Sequence, residues 1–140
     1  MRNYIIILTF FSILGCSTYS TGDLNGKWEC TIEEDPFELW VSDTLALGYD
    51  FENQIMILYR IAYDGNMLTF TNIDPWEGST WDDKILSLQK DEFELELQNP
   101  GNRRVTKYSR TSDELPEISA DYNTNFQRYE SYMINKKNNY

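Results

Sequence analysis

From Gly26 to Arg110, apolar and polar residues alternate with a period of two, in short runs separated by turn residues. Side chains of a strand point to opposite faces in turn, so this pattern specifies half-buried strands rather than helices. Trp28, Cys30 and Ile32 form one run. Phe37, Leu39 and Val41 form the next, followed by Leu45, Leu47, Tyr49 and Phe51. Ile55, Ile57, Tyr59, Ile61 and Tyr63 come next, then Leu68 and Phe70, and a shorter set of Leu86 and Leu88. Phe93, Leu95 and Leu97 alternate with Glu94 and Glu96, and Arg104, Thr106, Tyr108 and Arg110 complete the series. Asp35-Pro36 separates the first two runs, and Glu52-Asn53, Asp64-Gly65, Lys90-Asp91 and Pro100-Gly101 suit tight turns. The longest loop, Asn72 to Thr80, carries Trp76. About eight short strands in about 85 residues predict an all-β antiparallel up-and-down barrel, because closure removes exposed edges.

Beyond the strands the pattern changes. Ile118, Tyr122, Phe126, Tyr129 and Met133 recur at spacings of three and four, which marks a C-terminal helix with one apolar stripe. Trp40 lies on the face opposite Phe37, Leu39 and Val41, where such a helix could cover it.

The chain opens with Arg2 and a twelve-residue, mostly apolar run from Tyr4 to Gly15, too short to span a bilayer comfortably. It ends Ile13-Leu14-Gly15-Cys16, which resembles the lipobox of bacterial lipoproteins. That resemblance implies a cleaved signal peptide at 1–15, acylation of Cys16 and a tether over 16–23. Two or three acyl chains at Cys16 would hold the protein on the membrane. Ser17 rather than Asp at the next position points, by the same resemblance, to the outer membrane. The barrel then occupies 24–111, and 112–140 hold the linker, the helix and a frayed tail.

Gly26-Lys27-Trp28 resembles the Gly-x-Trp start of lipocalins. In an eight-strand barrel the first and last strands are antiparallel neighbours, which places Arg110 beside Trp28 and its guanidinium over the indole. Gly26, Trp28 and Arg110 are thus the expected closure of the barrel. The wider pattern, LNGKW (24–28), LYRIAYDGNMLTF (58–70), KILSLQKDEFELEL (84–97) and KYSR (107–110), is similar to the lipocalin-like domain of small bacterial lipoproteins. The resemblance implies a barrel that binds a small apolar ligand.

Composition narrows the function further. There is no histidine, so imidazole-based triads and metal sites are excluded. No phosphate loop or dinucleotide motif occurs, and no enzyme activity, metal or cofactor is expected. A balance of 23 acidic to 12 basic residues disfavours nucleic acid as a partner. Asp82-Asp83, Asp91-Glu92, Glu33-Glu34-Asp35 and the Glu94/Glu96 pair read as solvated hairpin charges, and Cys30 as a buried, inert thiol. Tyr49, Tyr59, Phe70, Trp76 and Trp81 are the candidate ligand-binding residues, aromatics able to line a barrel mouth. The competing reading is a non-catalytic envelope protein whose barrel is filled by its own side chains, and which meets a protein partner through its acidic surface and helix.

Overall fold

The computed structural model describes residues 19–32, 35–99 and 101–138. Cys16 and the lipobox lie outside the described residues. After a 3₁₀ turn at Thr21–Leu24 come eight strands: β1 (Gly26–Ile32), β2 (Asp35–Ser42), β3 (Leu45–Asp50), β4 (Ile55–Asp64), β5 (Met67–Asp74), β6 (Thr80–Leu88), β7 (Glu92–Asn99) and β8 (Asn102–Ser112). Each pairs antiparallel with the next, and β1 pairs with β8, so the sheet closes into an up-and-down barrel. One helix follows, α1 (Tyr122–Lys137). This is the lipocalin-like architecture expected from the alternation and the C-terminal stripe.

The closing seam is built around the expected corner. Trp28 and Arg110 are register partners, and the guanidinium carbon lies 3.9 Å from the indole ring centroid. The Trp28 indole N–H donates to the Leu24 carbonyl at 2.7 Å. That bond draws the 3₁₀ turn across this end of the barrel and buries Leu24 in the interior core. Gly26 is required there: its φ is +129°, and a Cβ would lie 2.6 Å from Arg110 Nη1 and 2.7 Å from the Ser112 carbonyl.

Turn chemistry differs in detail from the sequence reading. Residues 51–54 form the β3–β4 turn, and Gln54 rather than Asn53 takes the left-handed conformation. The reason is that Asp50 accepts both the Asn53 backbone N–H (3.0 Å) and its side-chain amide (2.9 Å), which fixes Asn53 in place. The β4–β5 turn is Gly65-Asn66, one residue later than Asp64-Gly65. A further turn at Asp43-Thr44 is held by Asn25, whose side chain accepts from the Asp43 backbone N–H at 2.8 Å. In β6 a bulge between Ile85 and Ser87 shifts the phase. Ile85 therefore points inward, while Leu86, expected inside, is exposed.

Two apolar clusters result. The first fills the barrel interior and includes Trp28, Leu39, Ile61, Leu68, Phe93 and Leu95. The second lies on the outside of β2, β3 and β4, where Trp40, Leu47, Tyr49, Met56 and Leu58 are covered by α1. All five residues of the predicted helical stripe pack on this cluster, although Ile118 precedes the helix. Asp121 caps α1 by accepting from the Thr124 backbone N–H at 3.0 Å. The helix carries little intrinsic preference of its own, so the aromatic contacts fix it: Trp40 meets Tyr129 at 4.9 Å and Tyr132 at 5.0 Å, both edge-on.

Candidate functional site: a cavity at the open end of the barrel

Leu24, Trp28 and Phe93 fill the end of the barrel beneath the 3₁₀ turn, with the Trp28 and Phe93 rings edge to face at 4.6 Å. The opposite end, where β1, β3, β5 and β7 finish, is not filled. A cavity of about 230 Å³ opens there. Its apolar wall comes from Ile32, Phe37, Leu39, Leu95 and Leu97 and from three aromatic rings, Tyr59, Phe70 and Trp81. Its polar groups are Asp83, Arg104, Thr106 and Tyr108.

The three rings form one unit. Phe70 and Trp81 are cross-strand partners on β5 and β6 and stack at 5.4 Å with an interplanar angle of 12°. Tyr59 of β4 meets each of them edge-on at 5.6 Å. A small residue makes room for Tyr59: a Cβ on Gly48 of β3 would lie 2.9 Å from the Tyr59 ring and 2.8 Å from Phe37. The inward face of β3 is thus Ala46 and Gly48, and its large residues point out.

This inverts one expectation. Tyr49 does not line the mouth. It is buried on the outer face beneath α1, 4.9 Å from the Trp40 ring. Trp76 also stands apart from the cavity lining, on the loop between β5 and β6 at 54% exposure. Of the five candidate residues the barrel therefore gathers Tyr59, Phe70 and Trp81, and separates Tyr49 and Trp76.

Asp83, read in the sequence as a solvated hairpin charge, is instead an interior residue with 7% exposure. The signal that could have found it is the alternation of Trp81, Asp83 and Ile85, which the bulge before Ser87 puts out of phase with Leu88. Burial pushes its carboxyl up to about 6, an effect that Asp82 reinforces and that donors from the Trp81 side chain and the Gln98 backbone partly offset. Its Oδ1 has no hydrogen-bond partner among the described residues. Deeper in the barrel, burial pushes the Cys30 thiol up to about 12 and a hydrogen bond with Tyr108 partly offsets the effect, so the thiol is protonated at neutral pH. Burial likewise raises Tyr59 and Tyr108 above the ordinary phenol range. Among the described residues no group of His, Cys, Asp and Glu side chains is placed to hold a metal ion, and no helix is long and apolar enough to cross a membrane.

Compared with known proteins, the chain matches no family model, no curated protein and no solved structure.

Proposed function

We propose that this chain is a lipid-anchored barrel, attached to the outer membrane of a bacterium through Cys16, that binds a small apolar ligand in the cavity at its open end. The observation that carries the reading is the unfilled end itself: about 230 Å³ walled by Tyr59, Phe70 and Trp81 and five aliphatic or aromatic neighbours. Apolar cavities of about 150 Å³ hold a benzene ring, whereas drug-sized ligands occupy roughly 300–1,000 Å³. The favoured occupant is therefore a single ring or a short chain, with no space for a whole long-chain fatty acid. The cavity also weighs against the competing reading of a barrel filled by its own side chains.

The test uses a ligand of matching size. In ¹⁵N-labelled protein, 2-phenylethanol should shift the signals of the Tyr59, Phe70 and Trp81 backbones and change Trp81 emission. Thr106→Phe, which places a ring in the cavity, should abolish both effects. Shifts confined to the outer surface, or none, would leave the filled-barrel reading in place. The anchor is tested separately: a palmitate analogue should label the full chain in cells, and Cys16→Ser should lose the label.

A further inference from the structure

We infer that the ligand of the open-end cavity is a small amine, with its apolar body against the aliphatic wall and its ammonium held between the Asp83 carboxylate and the rings of Trp81, Phe70 and Tyr59. This rests on the reading of the cavity as a binding site and adds the charge class of the occupant. The argument begins with an acceptor that lacks a donor. An ionised carboxylate can only accept, and a buried polar atom without a partner is rare enough in folded proteins to need an explanation. Asp83 is more than nine-tenths buried, its Oδ1 is unpartnered among the described residues, and it lines the cavity together with the Tyr59, Phe70 and Trp81 rings.

Three kinds of ligand group could meet this carboxylate from the cavity that Asp83 lines. A carboxylate would meet a like charge. A hydroxyl would satisfy one lone pair and leave the buried charge uncompensated. An ammonium does both, and aromatic faces attract it in addition. The surface field acts in the same direction, since a net charge of −11 draws cations toward the protein. Arg104 enters the same wall from β8. It makes anions the competing class, so the test includes one.

Three ligands of one size separate the cases: 2-phenylethylamine, 2-phenylethanol and phenylacetate, titrated calorimetrically at pH 7.5. The amine is expected to bind at least about tenfold more tightly than the alcohol, with phenylacetate weakest. Asp83→Asn should abolish the preference for the amine over the alcohol, and the circular dichroism spectrum reports whether the variant folds. If the variant does not fold, the wild type answers through pH. With the free carboxyl titrating at about 6, amine affinity should fall roughly tenfold between pH 7.5 and pH 5 and alcohol affinity should not. Arg104 is the other charged group facing the cavity, and the phenols of Tyr59 and Tyr108 there, like the Cys30 thiol hydrogen-bonded to Tyr108 deeper in the barrel, are raised by burial and keep their protons throughout that range. Equal affinities for amine and alcohol, or a preference for phenylacetate, would overturn the amine assignment and leave the cavity as a binding site. Failure of all three to bind would overturn the binding site and the amine with it.

Discussion

Among the described residues two carboxylates are buried in the wall of this barrel, and they are treated in opposite ways. Glu38 of β2 faces outward under α1 with 2% exposure, and its oxygens receive the Trp40 indole N–H (2.9 Å), the Tyr132 hydroxyl (2.9 and 3.1 Å) and the Lys136 ammonium. Asp83 of β6 faces inward at the open end, and one of its oxygens receives nothing among the described residues. Burying a charge is tolerable when donors replace water around it, and costly otherwise. Glu38 meets that condition within the fold and acts as a fastening between helix and barrel. Asp83 does not, and the missing donor is what a ligand would supply. Exposure alone would class the two residues together, whereas their partners distinguish a structural group from a binding group.

The largest expected effect follows from breaking the fastening. Glu38→Ala would take from an indole N–H, a hydroxyl and an ammonium the acceptor they share beside an apolar cluster. Removing one member of such a buried pair costs about 3–5 kcal/mol. The loss should be local, because the strands keep their own ladder. Amide exchange should therefore rise sharply over residues 122–137 and much less in β6, β7 and β8. A neutral Glu38→Ala, with exchange in α1 unchanged, would mean that the aromatic contacts alone hold the helix, and the contrast with Asp83 would lose one side.

Asp83 gives the opposite sign. Its carboxyl is pushed up to about 6, so the folded state holds that proton more tightly than the unfolded chain does. Stability from this group is present at about pH 4, is lost as the pH rises to about 6, and stays lost above it. The difference in pKa corresponds to roughly 3 kcal/mol, and to about 2 kcal/mol after screening by solvent at the open end of the barrel. Asp83→Asn removes the titration. In the absence of ligand the variant should match the wild type near pH 4 and exceed it by up to about 2 kcal/mol at pH 7.5, read from urea midpoints at both values. A variant less stable at pH 7.5 would show that the carboxylate is satisfied after all, in the manner of Glu38.

The same two residues show how far the sequence could be read. Closure of the barrel was legible because alternation, turns and the Trp28–Arg110 corner agree on one topology. The helix was legible from Ile118, Tyr122, Phe126, Tyr129 and Met133, and its docking from Trp40. The phase of β3 was not. Leu45, Leu47, Tyr49 and Phe51 look like an inward face, yet the inward positions are Ala46 and Gly48, kept small by Tyr59 and Phe37. A strand covered on both sides has two apolar faces, and size alone does not say which is inside. Predicting an apolar helix implied that some strand must have a second buried face, and β3 was the strand whose outward side could accept it. Asp83 was obscured by its neighbour: Asp82-Asp83 reads as a charge pair at a turn, although only the first is exposed. Glu38 drew no notice, because a glutamate between apolar residues on a strand is the ordinary mark of a solvated face.

A third charged group lies between these extremes and gives the smallest effect. Arg110 sits at the closed end with its side chain mostly buried, and its guanidinium is held along an edge and over a face. Nη1 donates to the Asn25 carbonyl at 2.6 Å, Nε to the Lys90 carbonyl, and the face of the group covers the Trp28 ring. Asp113 adds an ion pair at 3.3 Å, although that carboxylate is largely exposed and adds little. Arg110 is therefore satisfied, as Glu38 is, but mainly by neutral carbonyls that water can reach once the side chain is removed. Arg110→Ala should cost about 1–2 kcal/mol by urea unfolding, less than Glu38→Ala, because no opposite charge is left buried. Arg110→Lys should recover only part of this, since an ammonium reproduces the charge but not the planar stacking or the second donor. Combining Arg110→Ala with Trp28→Phe separates stacking from hydrogen bonding. A coupling of about 0.5–1 kcal/mol would assign that share to the ring contact. Strict additivity would assign the whole cost to the two carbonyls, and would place Arg110 with Glu38 as a group held by its hydrogen bonds alone.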